Sequence, residues 1–336
     1  MNYQIICAIL ILCCIQALRA QESNLPTLGE VVRVDPQLDS LIDPAARIEV
    51  LASGFDLSEG PVWVNREGGF LLFSDVPRNT IYKWQDGSGL SEFLKPSGYT
   101  GAGKYISEQG SNGLTLDRQG RLVACEHGDR RVSVMDWEGG KMTLADRYQG
   151  KRLNSPNDVV FRSNGDCYFT DPPYGLPTCE VDQEHGYGFC GVFRVTPEGV
   201  VSLVTDEMTR PNGLAFSPDE RILYVAQSDG AAPIIRAFDI AEDSSISNSR
   251  VFYDVKDQFG KLPGSPDGLK VDAAGNLFAT GPGGVHVISP QEKLLGRIDP
   301  RQATTNCCWG GDGSVLYITA DSYLCRIQTK TKGAGW

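Results

Sequence analysis

Histidine is scarce: His127, His185 and His286 are the only three in 336 residues, so a triad built on imidazole has few candidates. No Gly-x-Ser-x-Gly elbow and no His-Glu-x-x-His pair occurs, which removes two common hydrolase signatures. The stretch Gly186-Tyr-Gly-Phe-Cys-Gly191 spells a dinucleotide fingerprint. The Val192-Phe-Arg-Val run after it reads as a strand, however, and the fingerprint needs a helix there to meet the phosphates. Basic charge is also short, 31 Lys and Arg against 42 Asp and Glu, for a net charge of −11. That balance argues against nucleic-acid or anionic-membrane partners and suits a protein that holds a cation.

Long apolar runs are missing as well. Ile5 to Leu18 is apolar but too short to span a bilayer. With Arg19-Ala20 and a polar segment behind it, the stretch reads as a secretion signal over residues 1–20, cleaved near Ala20. The expected mature chain is exported, secreted or periplasmic, with no part in a membrane. Cysteine is the exception to this scarcity. Three of ten lie in the leader, and Cys179 and Cys190 flank a polar loop that a disulfide could close in an oxidising compartment. Cys125, Cys167 and Cys325 sit in strand-like runs and read as buried apolar residues.

What is present is one short phrase used six times: Ser58-Glu59-Gly60, Ser111-Asn112-Gly113, Pro156-Asn157-Asp158, Pro211-Asn212-Gly213, Pro266-Asp267-Gly268 and Thr305-Asn306-Cys307. It recurs every 39 to 55 residues, each time before a short apolar run. A turn and a second β-rich run follow, as in Leu214-Ala-Phe-Ser, Pro218-Asp-Glu-Arg and Ile222-Leu-Tyr-Val-Ala. Units of this length, each with several strands, predict an all-β, six-bladed β-propeller over residues 47–329. Residues 21–46 read as a polar N-terminal arm and 330–336 as a disordered tail. Arg47-Ile-Glu-Val-Leu-Ala alternates like a strand and is expected to pair beside Tyr323 to Gln328, closing the ring. Two insertions, Gln85 to Gly110 and Pro172 to Gly191, are expected on one binding face.

The geometry of a propeller gives the repeat its chemical meaning. The innermost strand of each blade lines the central channel, so Glu59, Asn112, Asn157, Asn212, Asp267 and Asn306 are expected to form a ring around it. Turn chemistry alone explains neither Glu59 nor the recurrence in every unit. Two carboxylates and several amide oxygens suit a hard dication, and two negative charges balance one. The second strands end near the same mouth with Asp75, Glu126, Asp171 and Asp321. Asp171 reads either as a substrate- or proton-handling residue or as a strand-end turn before proline. Asn112, His127 and Tyr174 join it as substrate-contact candidates, whereas His286 reads as structural and His185 as solvated.

Five phrases taken in order resemble the gluconolactonase and regucalcin-like (senescence marker protein) family of six-bladed propeller lactonases. They are Ser58-Glu-Gly-Pro-Val-Trp63, Asn154-Ser-Pro-Asn-Asp-Val159, Asp166-Cys-Tyr-Phe-Thr-Asp-Pro-Pro-Tyr-Gly175, Arg210-Pro-Asn-Gly-Leu214 and Ser265-Pro-Asp-Gly-Leu269. The resemblance implies one catalytic divalent cation in the channel, usually calcium, with magnesium, manganese or zinc as alternatives. It implies Glu59, Asn157, Asn212 and Asp267 as metal ligands and Asp267 as the acid/base residue. Regucalcin-like lactonases carry an arginine just before the ligand asparagine. Here that stretch is Asn154-Ser-Pro-Asn157, closer to the bacterial gluconolactonase and drug-responsive lactonase branch, so lactone hydrolysis is implied more firmly than an aldonolactone substrate. Two rivals stay open, a calcium-dependent phosphotriesterase or arylesterase and a non-catalytic propeller whose cation only staples the channel. All six ring residues on the ion would favour the staple, and open positions an enzyme.

Overall fold

The computed structural model describes residues 25–105 and 108–336. The proposed signal over residues 1–20 lies outside the described residues.

Six antiparallel sheets follow one another around a central channel, the predicted six-bladed propeller. The first blade runs outward through Ser58–Val64, Phe70–Asp75, Thr80–Gln85 and Gly89–Leu94, and the second through Ser111–Leu116, Leu122–Glu126, Arg131–Met135 and Lys141–Ala145. The third holds Val159–Phe161, Cys167–Asp171, Gly191–Val195 and Val201–Thr205. The fourth holds Pro211–Phe216, Ile222–Gln227, Ile234–Ile240 and Ile246–Asp254, and the fifth Leu269–Val271, Leu277–Gly281, Gly284–Ile288 and Leu294–Asp299. Asn306–Gly310, Val315–Ala320 and Tyr323–Gln328 make up most of the sixth.

Burial tracks distance from the channel. Second strands such as Phe70–Asp75 and Leu122–Glu126 are buried throughout because a neighbouring blade covers each face, so they read as apolar runs rather than alternations. Fourth strands such as Gly89–Leu94 are largely exposed. The core lies between blades. Phe169 and Phe193 of the third pack with Val123 and Val134 of the second, each large apolar side chain contributing about 1.5–3 kcal/mol.

Both chain ends are built into the ring. Glu49–Ser53 supplies the fourth strand of the sixth blade, pairing Glu49 with Arg326 and Ser53 with Tyr323, as the alternation in 47–52 leads one to expect. An ion pair of 2.7 Å between Glu49 and Arg326 reinforces this closure. The N-terminal arm is more than a polar lead-in. Glu30–Arg33 adds a fifth strand to the fifth blade, and Leu38 and Ile42 are fully buried against the fifth and sixth blades.

The tail corrects an expectation of disorder. Ala273 N donates to Lys332 O at 2.8 Å, Ala334 N to Val271 O at 3.0 Å, and Gly333 lies on the indole of Trp309. A short polar segment with no periodicity gave no sign of this, because its partners are hairpin turns of two different blades.

Candidate functional site in the channel mouth

The repeated phrase works through a backbone irregularity. In the first, second and fourth blades the innermost strand carries a register shift at Glu59/Val62, Ser111/Leu114 and Pro211/Leu214. A bulge re-aims the side chain at its start, and here that side chain is Glu59, Asn112 or Asn212. In four blades the residue after it is glycine. A Cβ on Gly60 would stand 2.1 Å from Asn112 O, and one on Gly268 would stand 2.0 Å from Asn306 Cγ. Each of these glycines lets the next blade's ring residue come close to the axis. In the third blade the same place is taken by Asp158, a third carboxylate just inside the ring.

Glu59, Asn112, Asn157, Asn212 and Asp267 line one cavity of about 330 Å³, joined by Tyr174 from the third-blade insertion and Glu108 from the first link. Leu57, Ser228, Ser265 and Thr305 complete it, with no Lys or Arg among them. The two insertions meet at the rim, where Tyr105 donates its hydroxyl to Gly175 O. The sixth ring residue is turned inward. Asn306 Nδ2 donates to Glu59 Oε2 at 3.2 Å and to Asp158 Oδ2 at 3.4 Å, while its Oδ1 accepts from Cys307 N at 2.9 Å. Asn212 Nδ2 donates to Ser228 Oγ at 2.9 Å, and that hydroxyl donates to Pro266 O at 2.6 Å.

Three oxygens here lack partners in a buried setting: Asn112 Oδ1, Asn212 Oδ1 and Asp267 Oδ1. An orphaned buried acceptor costs about 1–3 kcal/mol, so three in one cavity mark a place shaped for something with positive charge. The carboxylates point the same way. Burial first, and Asp158 second, raise Glu59 above the usual carboxylate range, while burial, Glu59 and Asp158 raise Asp267. Among the described residues no group of three or more His, Cys, Asp and Glu gathers as a ligand set. The donors are two carboxylates with neutral amides, all oxygen, which fits a hard dication better than zinc.

Two sequence candidates lie off the lining. Asp171 is fully buried, accepts from Asn154 N at 2.6 Å and takes the Tyr187 hydroxyl on the same oxygen. It clasps the insertion to its own blade, like Asp75, which accepts from Asp56 N and Leu57 N. His127 is fully buried behind Glu108, its imidazole pushed down to about 4 by burial and therefore neutral. Both were placed from strand-end position, which sets the face of the propeller but not whether a side chain turns toward the axis.

Sequence reasoning named neither Asp158 nor Glu108 as a site residue. Asp158 was detectable as the one acidic residue where four sibling phrases carry glycine. Glu108 sits in a link with no repeat counterpart, so no pattern marks it. The expected bridge between Cys179 and Cys190 is absent, and both are free thiols. Cys179 Sγ turns to Tyr174 O at 3.6 Å, and the guanidinium of Arg210 reaches both, donating to Cys179 O at 3.2 Å and lying 4.0 Å from Cys190 Sγ.

The chain is similar to known proteins along most of its length. The family described as SMP-30/Gluconolactonase/LRE-like region matches residues 57–322. A gluconolactonase of Zymomonas mobilis is 41% identical over 319 residues, 92% of this chain and 89% of that one. The structure of a gluconolactonase from Xanthomonas campestris superposes with a TM-score of 0.79 at 31% identity, covering 93% of this chain and 99% of that one. Regucalcin from Agrobacterium tumefaciens, a calcium-binding protein, shares the fold at 16% identity, with a TM-score of 0.64 over 85% of this chain and 94% of that one.

Proposed function

This chain belongs to the SMP-30/gluconolactonase/LRE-like family, and from that premise we propose that it opens lactone rings by hydrolysis with one divalent cation held in the channel mouth. The observation that carries the proposal is the set of orphaned oxygens on Asn112, Asn212 and Asp267 around a cavity with no basic side chain. Glu59, Asn157, Asn212 and Asp267 would hold the ion, calcium before magnesium, manganese or zinc by their oxygen-only chemistry. When bound, it polarises the lactone carbonyl and stabilises the charge that develops there. Asp267 takes the proton of the attacking water. Asn112 and Tyr174 contact substrate from the second blade and the insertion.

Asn306 supports an enzyme over a stapled channel. Its amide is committed to Glu59, Asp158 and Cys307 N, so the ring cannot enclose an ion from all six sides and positions stay open. The test is pH-stat hydrolysis of glucono-δ-lactone and a small lactone panel, before and after chelation, with calcium, magnesium, manganese or zinc added back. Activity lost to chelator and restored by one of these ions is the expected result. Turnover that survives exhaustive chelation would overturn the metal role. Cleavage of phosphotriesters or aryl esters but no lactone would move the assignment to that class. We also propose export of the mature chain, from the short apolar leader before Ala20. N-terminal sequencing of exported protein starting near residue 21 would support it, and a retained Met1 would refute it.

A further inference from the structure

A second cleft lies on the face of the propeller opposite the channel mouth, between the second and third blades. Its volume of about 430 Å³ falls within the range of small-molecule sites, about 300–1,000 Å³. The turns that follow the inner strands form its rim, Asp117 to Arg121 on one side and Asn164 with Gly165 on the other. Asn112 and Asn157 stand near the other ends of the same strands, and the two cavities share no residue.

Other seams on this face are closed by protein. Trp137 covers the one between the first and second blades, donating Nε1 to Gly120 O at 2.7 Å and packing edge-on against Phe70 and Phe93. Arg162 crosses from the third blade to the fourth, donating to Ala241 O at 3.1 Å and to Ser244 Oγ at 3.2 Å. The C-terminal tail joins the fifth to the sixth, where Lys332 O accepts from Ala273 N and Gly333 N donates to Gly313 O. Arg118 reaches across the remaining cleft and bonds nothing. A Cβ on Gly165 would lie 3.9 Å from its Cδ and 4.0 Å from its Nη1. Among the described residues its guanidinium has no hydrogen-bond or ion-pair partner.

We propose that this cleft binds a small free monocarboxylate with an apolar body, its head on Arg118 and its chain between the blades. The planar fork of an unpaired guanidinium matches a carboxylate. The rest of the rim sets the charge at one. Arg121 is committed to Asp117 at 2.6 Å, so one positive charge is free, and a dianion would face the Asp117 carboxylate with half its charge unmatched. Asn164 offers little to a sugar or a base. Its Nδ2 donates to Asp166 Oδ2 and its Oδ1 accepts from Asp166 N, both at 3.0 Å.

Below the rim the lining turns apolar. Leu144 and Phe161 are half-buried walls, with Val123, Val134 and Val195 of the inter-blade core beneath them. Hydrocarbon laid against those walls removes them from water, which favours a chain over a bare ion. A site with one free cation and an apolar pit therefore selects an amphipathic acid. It stands apart from the lactonase reading, because no ring residue takes part.

The test is calorimetric titration of octanoate into the full chain, once loaded with calcium and once chelated. One site with the same Kd in both is expected. Acetate and 1-octanol, each lacking half of the ligand, should bind at least about tenfold more weakly. Arg118→Ala should raise the octanoate Kd at least about tenfold, the worth of one charge-assisted hydrogen bond, and Leu144→Ser should weaken binding as well. Unliganded Arg118→Ala should melt as wild type does, since the side chain is exposed and unpartnered. No octanoate binding below its micellar range, 1-octanol binding as tightly, or an unchanged Kd in Arg118→Ala would each overturn the proposal. Binding that requires calcium would also overturn it, by placing the carboxylate in the channel mouth.

Discussion

Asn306 donates its amide to Glu59 Oε2 at 3.2 Å across the seam between the last blade and the first. The ring residue that does not face the cavity therefore orients one that does. Gly60 N donates to the same oxygen at 2.7 Å, leaving Glu59 Oε1 free to point at the cavity.

Glu59→Gln should make the chelated protein more stable and its cation weaker. Burial and Asp158 raise this carboxyl in the folded state, so folded protein binds the proton more tightly than unfolded chain. Stability from that group is full below the unfolded value of about 4.3 and declines as pH rises through the folded one. In chelator, wild-type Tm should fall between about pH 5 and 8, and the variant's should fall less. Differential scanning calorimetry with and without calcium checks both, since excess ligand at 100 times Kd adds about 2.7 kcal/mol. A variant stabilised by calcium as strongly as wild type would exclude Glu59 as a ligand.

Gly268→Ala should damage the site through packing alone. The added Cβ would fall 2.0 Å from Asn306 Cγ, so the sixth blade must shift by more than a rotamer can absorb. We expect a loss of about 1–3 kcal/mol and reduced turnover from a displaced Glu59. Urea denaturation and kcat/KM together test this. Gly150→Ala, where nothing lies within 4 Å but φ is +78°, controls for backbone strain without the clash.

Deleting residues 331–336 should lower Tm and spare kcat. The segment covers Trp309, which is only 6% exposed, and packs on turns at the ends of inner strands opposite the ring residues. Loss of the Ala334–Val271 and Gly333–Gly313 bonds and of apolar cover should cost a few kcal/mol, about 1 for each hydrogen bond. A truncated protein with unchanged melting would mean the tail contributes nothing.

Among the described residues, one of seven thiols should react. Cys179 is exposed, and the other six are buried. Burial also holds Cys190 up to about 11 and Cys325 up to about 12, far from thiolate at neutral pH. Native alkylation followed by mass spectrometry should label Cys179 and none of the other six described cysteines. No label there in oxidised protein, appearing after reduction, would restore the Cys179–Cys190 bridge.

The six-bladed ring and its closing strand were legible because they are written locally. A turn, an apolar run and one oxygen-bearing residue recur in every unit, and a repeat fold places equivalent residues at equivalent radii whatever happens elsewhere. Five of the six ring residues do meet at one cavity for that reason. Direction was not legible. Whether Asn306 faces the cavity or Glu59, and whether Asp171 reaches substrate or clasps Asn154 and Tyr187, depends on neighbours far away in sequence. Glu108 escaped notice because its position comes from the docking of two insertions, joined where Tyr105 meets Gly175, and no periodic signal accompanies such a contact. Sequence set the ring and its oxygen chemistry through repetition. Tertiary packing chose which oxygens stay unpartnered, because that depends on burial and on distances between blades.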